Sequence, residues 1–197
     1  MVDHLDLGPE DILLDLGCGE GFTLATAASR VPGLSLVGTD LDGVALASAR
    51  AWLAATGRRV TLFEGDVGSP LPLRDGSVTR TVCHDVLEYL DEPVRLLVEA
   101  SRVLRRGAVS VWSHTDYAAI VVGGADRVLT RRVMGAYADA AYLDLGHSEA
   151  EMGRGLATVV DRSPLRRTDV GRRGAHRHEA RRARPPPGRR HRRHRVS

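Results

Sequence analysis

The stretch DILLDLGCGEGFTLATAAS, residues 11–29, decides the fold. Residues 11–16 form a short apolar run that reads as a buried strand, a glycine cluster follows, and residues 20–29 continue as an alanine-rich helix. Strand, glycine turn and helix then recur along the chain. Val31-Pro32-Gly33 breaks the first helix, residues 34–39 (LSLVGT) form a second apolar strand, and residues 41–56 form a second alanine-rich helix stopped by Gly57. Residues 60–63 give a third strand, Pro70-Leu71-Pro72 and Asp75-Gly76 mark a loop, and residues 78–83 give a fourth. A helix over about 92–104 follows, with Asp91 as N-cap, Pro93 in its first turn and Arg105-Arg106-Gly107 closing it; residues 108–112 are the fifth strand. Strands alternating with helices at this spacing require crossover connections, so the class is α/β with a doubly wound, mostly parallel Rossmann-like sheet. Beyond the fifth strand a helix is expected over 126–141. Ser148 and Glu151, three apart, form a capping box for a short helix after it, and both helices are expected over the strand ends.

The 197 residues suffice for one core without staples. Only Cys18 and Cys83 occur, isolated in apolar runs, so there is no disulfide framework or zinc motif, and a reducing, cytoplasmic setting is expected. No apolar run is long enough to span a bilayer, and Asp3, Asp6 and Glu10 stand where a secretory segment needs positive charge, so membrane insertion and export are not expected. The net charge of +3 conceals two unlike parts. Residues 1–164 hold 15 arginines against 23 acids, a net −8, whereas residues 165–197 hold 13 arginines against Asp169 and Glu179, a net +11. The domain is therefore placed at 1–164. The tail from 165 has no aromatic residue and one leucine, too little to bury a core. It reads either as an arm for nucleic acid or another anionic surface, or as a disordered or out-of-frame end. The second reading is preferred, because Arg, Pro, Gly, His and Ala dominate GC-rich codons read out of frame.

Gly17, Gly19 and Gly21 end the first strand and open the first helix, where backbone can approach a ligand and helix N–H groups are free. Phe22 stands where a dinucleotide fingerprint needs its last small residue, which disfavours a pyrophosphate. Asp40 follows the second strand about twenty residues on, placed to accept from ribose hydroxyls, and Asp66 follows the third; with Asp15 these acids point at one groove.

The runs LLDLGCGEG, GTD, EGDV and TVCHDVLEYLDEP, in this order, resemble the successive motifs of class I S-adenosylmethionine-dependent methyltransferases, particularly the small-molecule type. The resemblance covers about residues 5–113 and continues loosely to about 160. It implies that Asp15, Cys18 and the Gly17, Gly19 and Gly21 turn hold the methionine portion of S-adenosylmethionine. It further implies Asp40 on the ribose, Leu41 against the adenine, Asp66 at the adenine amine with the Val67 N–H beside it, and Cys83 and His84 near the sulfonium. His84 is the candidate base; Asp85, Glu88 and Tyr89 after the fourth strand, and His114, Asp116 and Tyr117 after the fifth, are expected to line the acceptor site. His114 and Asp116 lack a third partner, so no metal is predicted. Relatives have roofing helices before the first strand and a final reversed strand pair. Here both ends look truncated or altered, with residues 165–170 at most starting a sixth strand.

The resulting expectation is a methyltransferase acting on an O, N or C atom of a small molecule. The alternatives are a catalytically impaired remnant, a nucleic-acid binder using the basic tail, and a nicotinamide-dependent oxidoreductase. Nucleic acid is disfavoured by the acidic domain and by CHDVLEY, which departs from the Asn/Asp-Pro-Pro-aromatic run of enzymes acting on flipped-out base amines. The oligomeric state is not legible.

Overall fold

The computed structural model describes residues 1–116, 126–144 and 152–171. Five strands form one sheet: β1 (Ile12–Leu16), β2 (Ser35–Asp40), β3 (Val60–Glu64), β4 (Val78–His84) and β5 (Leu104–Ser113). Their order is β3-β2-β1-β4-β5 and every pairing is parallel. Among the described residues no reversed strand pair follows, and residues 165–170 are irregular rather than a sixth strand.

β1 is central and covered on both faces, which is why it reads as a continuous apolar run instead of alternating. Leu13 joins Leu5, Leu24, Leu36, Leu46, Leu53 and Val82 in the core beneath α1 (Phe22–Arg30) and α2 (Gly43–Ala54). Its neighbours Leu14 and Leu16 point to the opposite face. There they pack with Leu96, Leu97 and Val103 of α3 (Pro93–Val103) and with Met152 and Val160 of α5 (Met152–Asp161).

Several boundaries differ from the sequence expectation. α1 begins at Phe22, because Gly21 in the left-handed region (φ 81°) ends the turn there. The N-cap of α3 is Glu92, not Asp91, with Pro93 in its first turn. Arg105, Arg106 and Gly107 do not close α3. The helix ends at Val103 and the chain passes directly into β5, with Gly107 (φ 78°) and a register shift opposite Val78–Arg80 absorbing the irregularity. α4 (Arg127–Asp144) forms where a helix was expected, whereas Ser148 and Glu151 lie outside the described residues. α5 starts at the end of β5, where Gly153 abuts Asp116, but then covers the α3 face of the sheet rather than the strand ends.

Two arginines fasten the loops. Arg102 donates to Glu99, to Asp75 and to the carbonyls of Leu71 and Leu73, holding the loop between β3 and β4. Arg80 donates to the carbonyls of Leu5 and Asp6 and so seats the N-terminal segment against the sheet. No described helix is long and apolar enough to cross a membrane.

Candidate active site

In a sheet of this order the connections from β1 and β4 leave toward opposite faces, opening a crevice outside their carboxyl ends. The chain after β1 enters it as a tight turn, with the Gly17 and Cys18 N–H groups both donating to the Thr39 carbonyl at 2.9 Å. Gly17, Gly19 and Gly21 all have positive φ, but only one of them faces open space. A Cβ on Gly17 would lie 2.3 Å from Val86 Cγ2, and one on Gly21 would lie 3.1 Å from the Ala49 Cβ. A Cβ on Gly19 would meet no atom of the described residues within 4 Å, its chain neighbours aside. Gly17 and Gly21 are therefore packing glycines, and Gly19 is the bare edge of the crevice.

Asp40 ends β2 beside that edge. Its Oδ2 accepts the Gly19 N–H at 2.7 Å and its Oδ1 accepts the Asp42 N–H at 2.9 Å. Asp42 in turn caps α2 through the Val44 and Ala45 N–H groups. Leu41, next to Asp40, is an apolar side chain 70% exposed. Asp15 lies behind the turn, buried. Burial, and then the charge of Asp40, pushes its carboxyl up to about 7. Asp66 also borders the crevice, and its carboxylate already accepts the Gly68 N–H at 2.8 Å and the Ser69 hydroxyl at 3.3 Å, with Val67 buried beside it. Cys18 and Cys83 are buried core residues, and the Cys18 thiol donates to the Gly19 carbonyl at 3.8 Å. Burial raises both thiols, that of Cys18 to about 12.

On the other side β4 delivers His84, whose side chain is 45% exposed and lies 3.3 Å from the Asp85 carboxylate through Nε2. Asp85 adopts φ 50°, a strained backbone for a non-glycine residue. Thr115, beyond β5, holds it there: its N–H donates to Oδ1 at 2.6 Å and its hydroxyl to Oδ2 at 2.8 Å. Nothing in the sequence marks Thr115, because the bond spans thirty residues between two strand ends. Val86, which fills the space above Gly17, is likewise visible only in three dimensions.

Glu88 and His114 were expected to line the acceptor site, but both side chains are buried, 1% and 0% exposed, and pair with each other. Glu88 sits in a short 3-10 turn after β4 and His114 just beyond β5, and each side chain turns inward to the other. The His114 Nδ1 donates to the Thr115 carbonyl at 2.7 Å, and Nε2 faces Glu88. Burial alone would lower the imidazole, yet the Glu88 hydrogen bond and charge, the Thr115 carbonyl and Asp85 hold it above its ordinary value. Asp85, Glu88 and His114 bring one ligand atom each within 4.8 Å of one another, the spacing of a metal site. The Thr115 carbonyl holds Nδ1, and Nε2 meets Glu88 within the cluster itself. Asp116 takes no part in it and pairs with Arg154 of α5 at 2.7 and 3.1 Å. Tyr89 is half-exposed at the rim, and Tyr117 lies outside the described residues.

The arrangement is an acidic crevice with one bare glycine edge, an exposed leucine, and a half-exposed histidine facing a restrained carboxylate. Its chemistry suits a cationic ligand with a hydroxylated, partly apolar body.

Residues 14–112 match the family described as methyltransferase domain. A 37.1 kDa protein of unassigned role in transposon TN4556 of Streptomyces fradiae is 34% identical over 66% of this chain and 38% of its own length. The ribosomal RNA small subunit methyltransferase C of Stutzerimonas stutzeri (strain A1501) is 42% identical over 34% of this chain and 20% of its own. Among solved structures, the geranyl diphosphate C-methyltransferase of Streptomyces coelicolor A3(2), in complex with Mg2+, geranyl diphosphate and S-adenosyl-L-homocysteine, superposes with a TM-score of 0.52 at 27% identity. That match covers 57% of this chain and 42% of that one. The chain thus spans less than half the length of each of these relatives.

Proposed function

This chain belongs to the methyltransferase-domain family of class I S-adenosylmethionine-dependent enzymes, and from that premise we propose that it binds S-adenosylmethionine and methylates a small-molecule O, N or C acceptor. The observation that carries the reading is the Gly19–Asp40 contact at the mouth of β1 and β2, with open space over Gly19. A donor set of three carboxylates fits a ligand bearing a sulfonium and an ammonium, and would repel a pyrophosphate. This also disfavours the nicotinamide alternative.

Asp40 would accept from the ribose hydroxyls with the lone pairs left beside Gly19, and exposed Leu41 would pack on the adenine. Asp66 retains acceptor capacity for an exocyclic amine after capping its own turn. Asp15 would supply negative charge beneath the methionine portion, and the Gly19 backbone would lie against it. When bound, the cofactor supplies a methyl group activated by positive sulfur. Methyl transfer then needs alignment and exclusion of water, and a base only where the acceptor carries a proton at working pH. His84 is the group that would remove that proton, with Nε2 oriented by Asp85 and Asp85 held by Thr115.

The small-molecule acceptor is supported by the likeness to the geranyl diphosphate enzyme and by CHDVLEY after β4. A ribosomal RNA acceptor is the second reading, favoured by the similarity to the ribosomal RNA enzyme. Calorimetric titration with S-adenosylmethionine, repeated on Asp40→Ala, tests the cofactor assignment. Incubation with methyl-labelled cofactor and a bacterial extract, separated afterwards into metabolites and RNA, tests the acceptor. Label in the metabolite fraction supports the proposal, and label confined to RNA replaces it with the second reading.

A further inference from the structure

We infer that the flank formed by α2 and the edge strand β3 carries a second binding site, for a phosphorylated small molecule with an apolar body. An open depression of about 480 Å³ lies there. Leu53 of α2 and Val60 and Leu62 of β3 form its apolar wall, Arg50 and Arg58 supply two guanidinium groups, and Thr61 adds a hydroxyl. No carboxylate lines it, although residues 1–164 carry a net −8.

Neither arginine pairs with an acid among the described residues, and both line this one place. Arg30, Arg80, Arg95, Arg102 and Arg154 each pair with an acid. Arg58 pairs with none among the described residues, and its Nε–H is buried without an acceptor. Arg50 makes one long hydrogen bond, 3.3 Å to the Leu62 carbonyl, which leaves its other donors for a ligand. A buried donor with no acceptor is unfavourable; because that Nε is closed to solvent, the ligand contacts are assigned to the terminal nitrogens of Arg58 and to Arg50. Two forked guanidiniums on one depression match a dianion with several acceptor oxygens, which a phosphate monoester provides and a single carboxylate does not. The apolar wall would cover the remainder of such a molecule.

The position is independent of the crevice. Arg50 and Leu53 lie in the C-terminal half of α2, away from its Asp42 cap, and Val60–Leu62 is the N-terminal half of β3, whereas the crevice lies at the carboxyl ends of the strands. A molecule bound here would not compete with S-adenosylmethionine.

The test uses the full ¹⁵N-labelled chain and the arginine Nε–Hε resonances, assigned by their loss in Arg50→Gln and Arg58→Gln. The probes are phenyl phosphate, inorganic phosphate and, as an apolar control, benzyl alcohol. Phenyl phosphate is expected to shift the Arg50 and Arg58 signals saturably and to bind at least fivefold more tightly than inorganic phosphate. Either substitution should weaken it at least tenfold and leave S-adenosylmethionine affinity within twofold. Arg50 is on the helix surface, so Arg50→Gln tests the site even if Arg58→Gln impairs folding. Unchanged phenyl phosphate affinity in Arg50→Gln overturns the inference. So does a response confined to the arginines beyond residue 165, or displacement of the probe by S-adenosylmethionine.

Discussion

The Gly19 N–H donates to Asp40 Oδ2 at 2.7 Å, joining the turn after β1 to the end of β2 across twenty-one residues. The bond fixes the direction of the Asp40 carboxylate before any ligand arrives, and it makes Asp40 part of both the turn and the binding surface.

Asp40→Ala is therefore expected to weaken S-adenosylmethionine binding by about 1–3 kcal/mol, and to lower stability by about 1 kcal/mol as the Gly19 and Asp42 N–H groups lose their acceptor. Calorimetry and urea denaturation of the same variant measure the two effects. Unchanged cofactor affinity in a folded variant would remove Asp40 from the site.

The glycines of the turn should separate by role. Gly17→Ala places a Cβ 2.3 Å from Val86 at φ 74° and should destabilise the fold by roughly 2–4 kcal/mol. Gly19→Val puts its Cβ in open space among the described residues and should leave the fold largely intact, with the strain of its φ of 49°, while abolishing cofactor binding. Circular dichroism melts with parallel titrations distinguish the two, and retained binding in Gly19→Val would make the turn purely structural.

Asp15 sets a pH dependence. Its folded value of about 7 lies above the ordinary carboxylate range, so the folded state binds the extra proton. Stability should then fall as pH rises from about 4 to 7, by up to roughly 4 kcal/mol, and level off above. The raised His114 imidazole adds a loss in the same direction, as pH rises through its folded value. A cationic ligand favours ionised Asp15, so cofactor affinity should increase between pH 6 and 8. Asp15→Asn is expected to flatten that rise, measured by calorimetry across the range.

Thr115→Val removes the hydroxyl that holds Asp85, while its N–H bond remains. If His84 is the base, turnover should drop several-fold with cofactor affinity unchanged, and His84→Ala should give the larger loss of turnover. Equal losses of turnover and cofactor affinity in His84→Ala would place that residue in the cofactor site instead.

Both thiols are raised by burial, Cys18 to about 12. Neither should react measurably with an alkylating reagent at pH 7.5 in the native state, whereas both should react in urea. Mass spectrometry counts the added groups.

Residues 11–113 disclosed most of the fold because their signals are local. Apolar runs, glycine turns and alanine-rich helices repeat with a spacing that permits parallel crossovers, and Asp15, Asp40 and Asp66 each follow or end a strand. The helix after β4 is legible to within a residue at each end, but the start of the strand after it is not. The Arg105-Arg106-Gly107 run looks like a helix stop, yet the pairing of β5 with β4 draws Leu104 straight into the strand.

The order of the elements, the class of the sheet and the strand ends at which the acids gather are written in local sequence, since each depends on backbone propensity and short-range periodicity. Which glycine faces open space, the inward pairing of Glu88 with His114 and the restraint of Asp85 by Thr115 emerge in three dimensions alone. Those outcomes depend on how side chains from strands distant in the chain share one volume. Packing of that kind is set by the assembled neighbours, and no single segment encodes it.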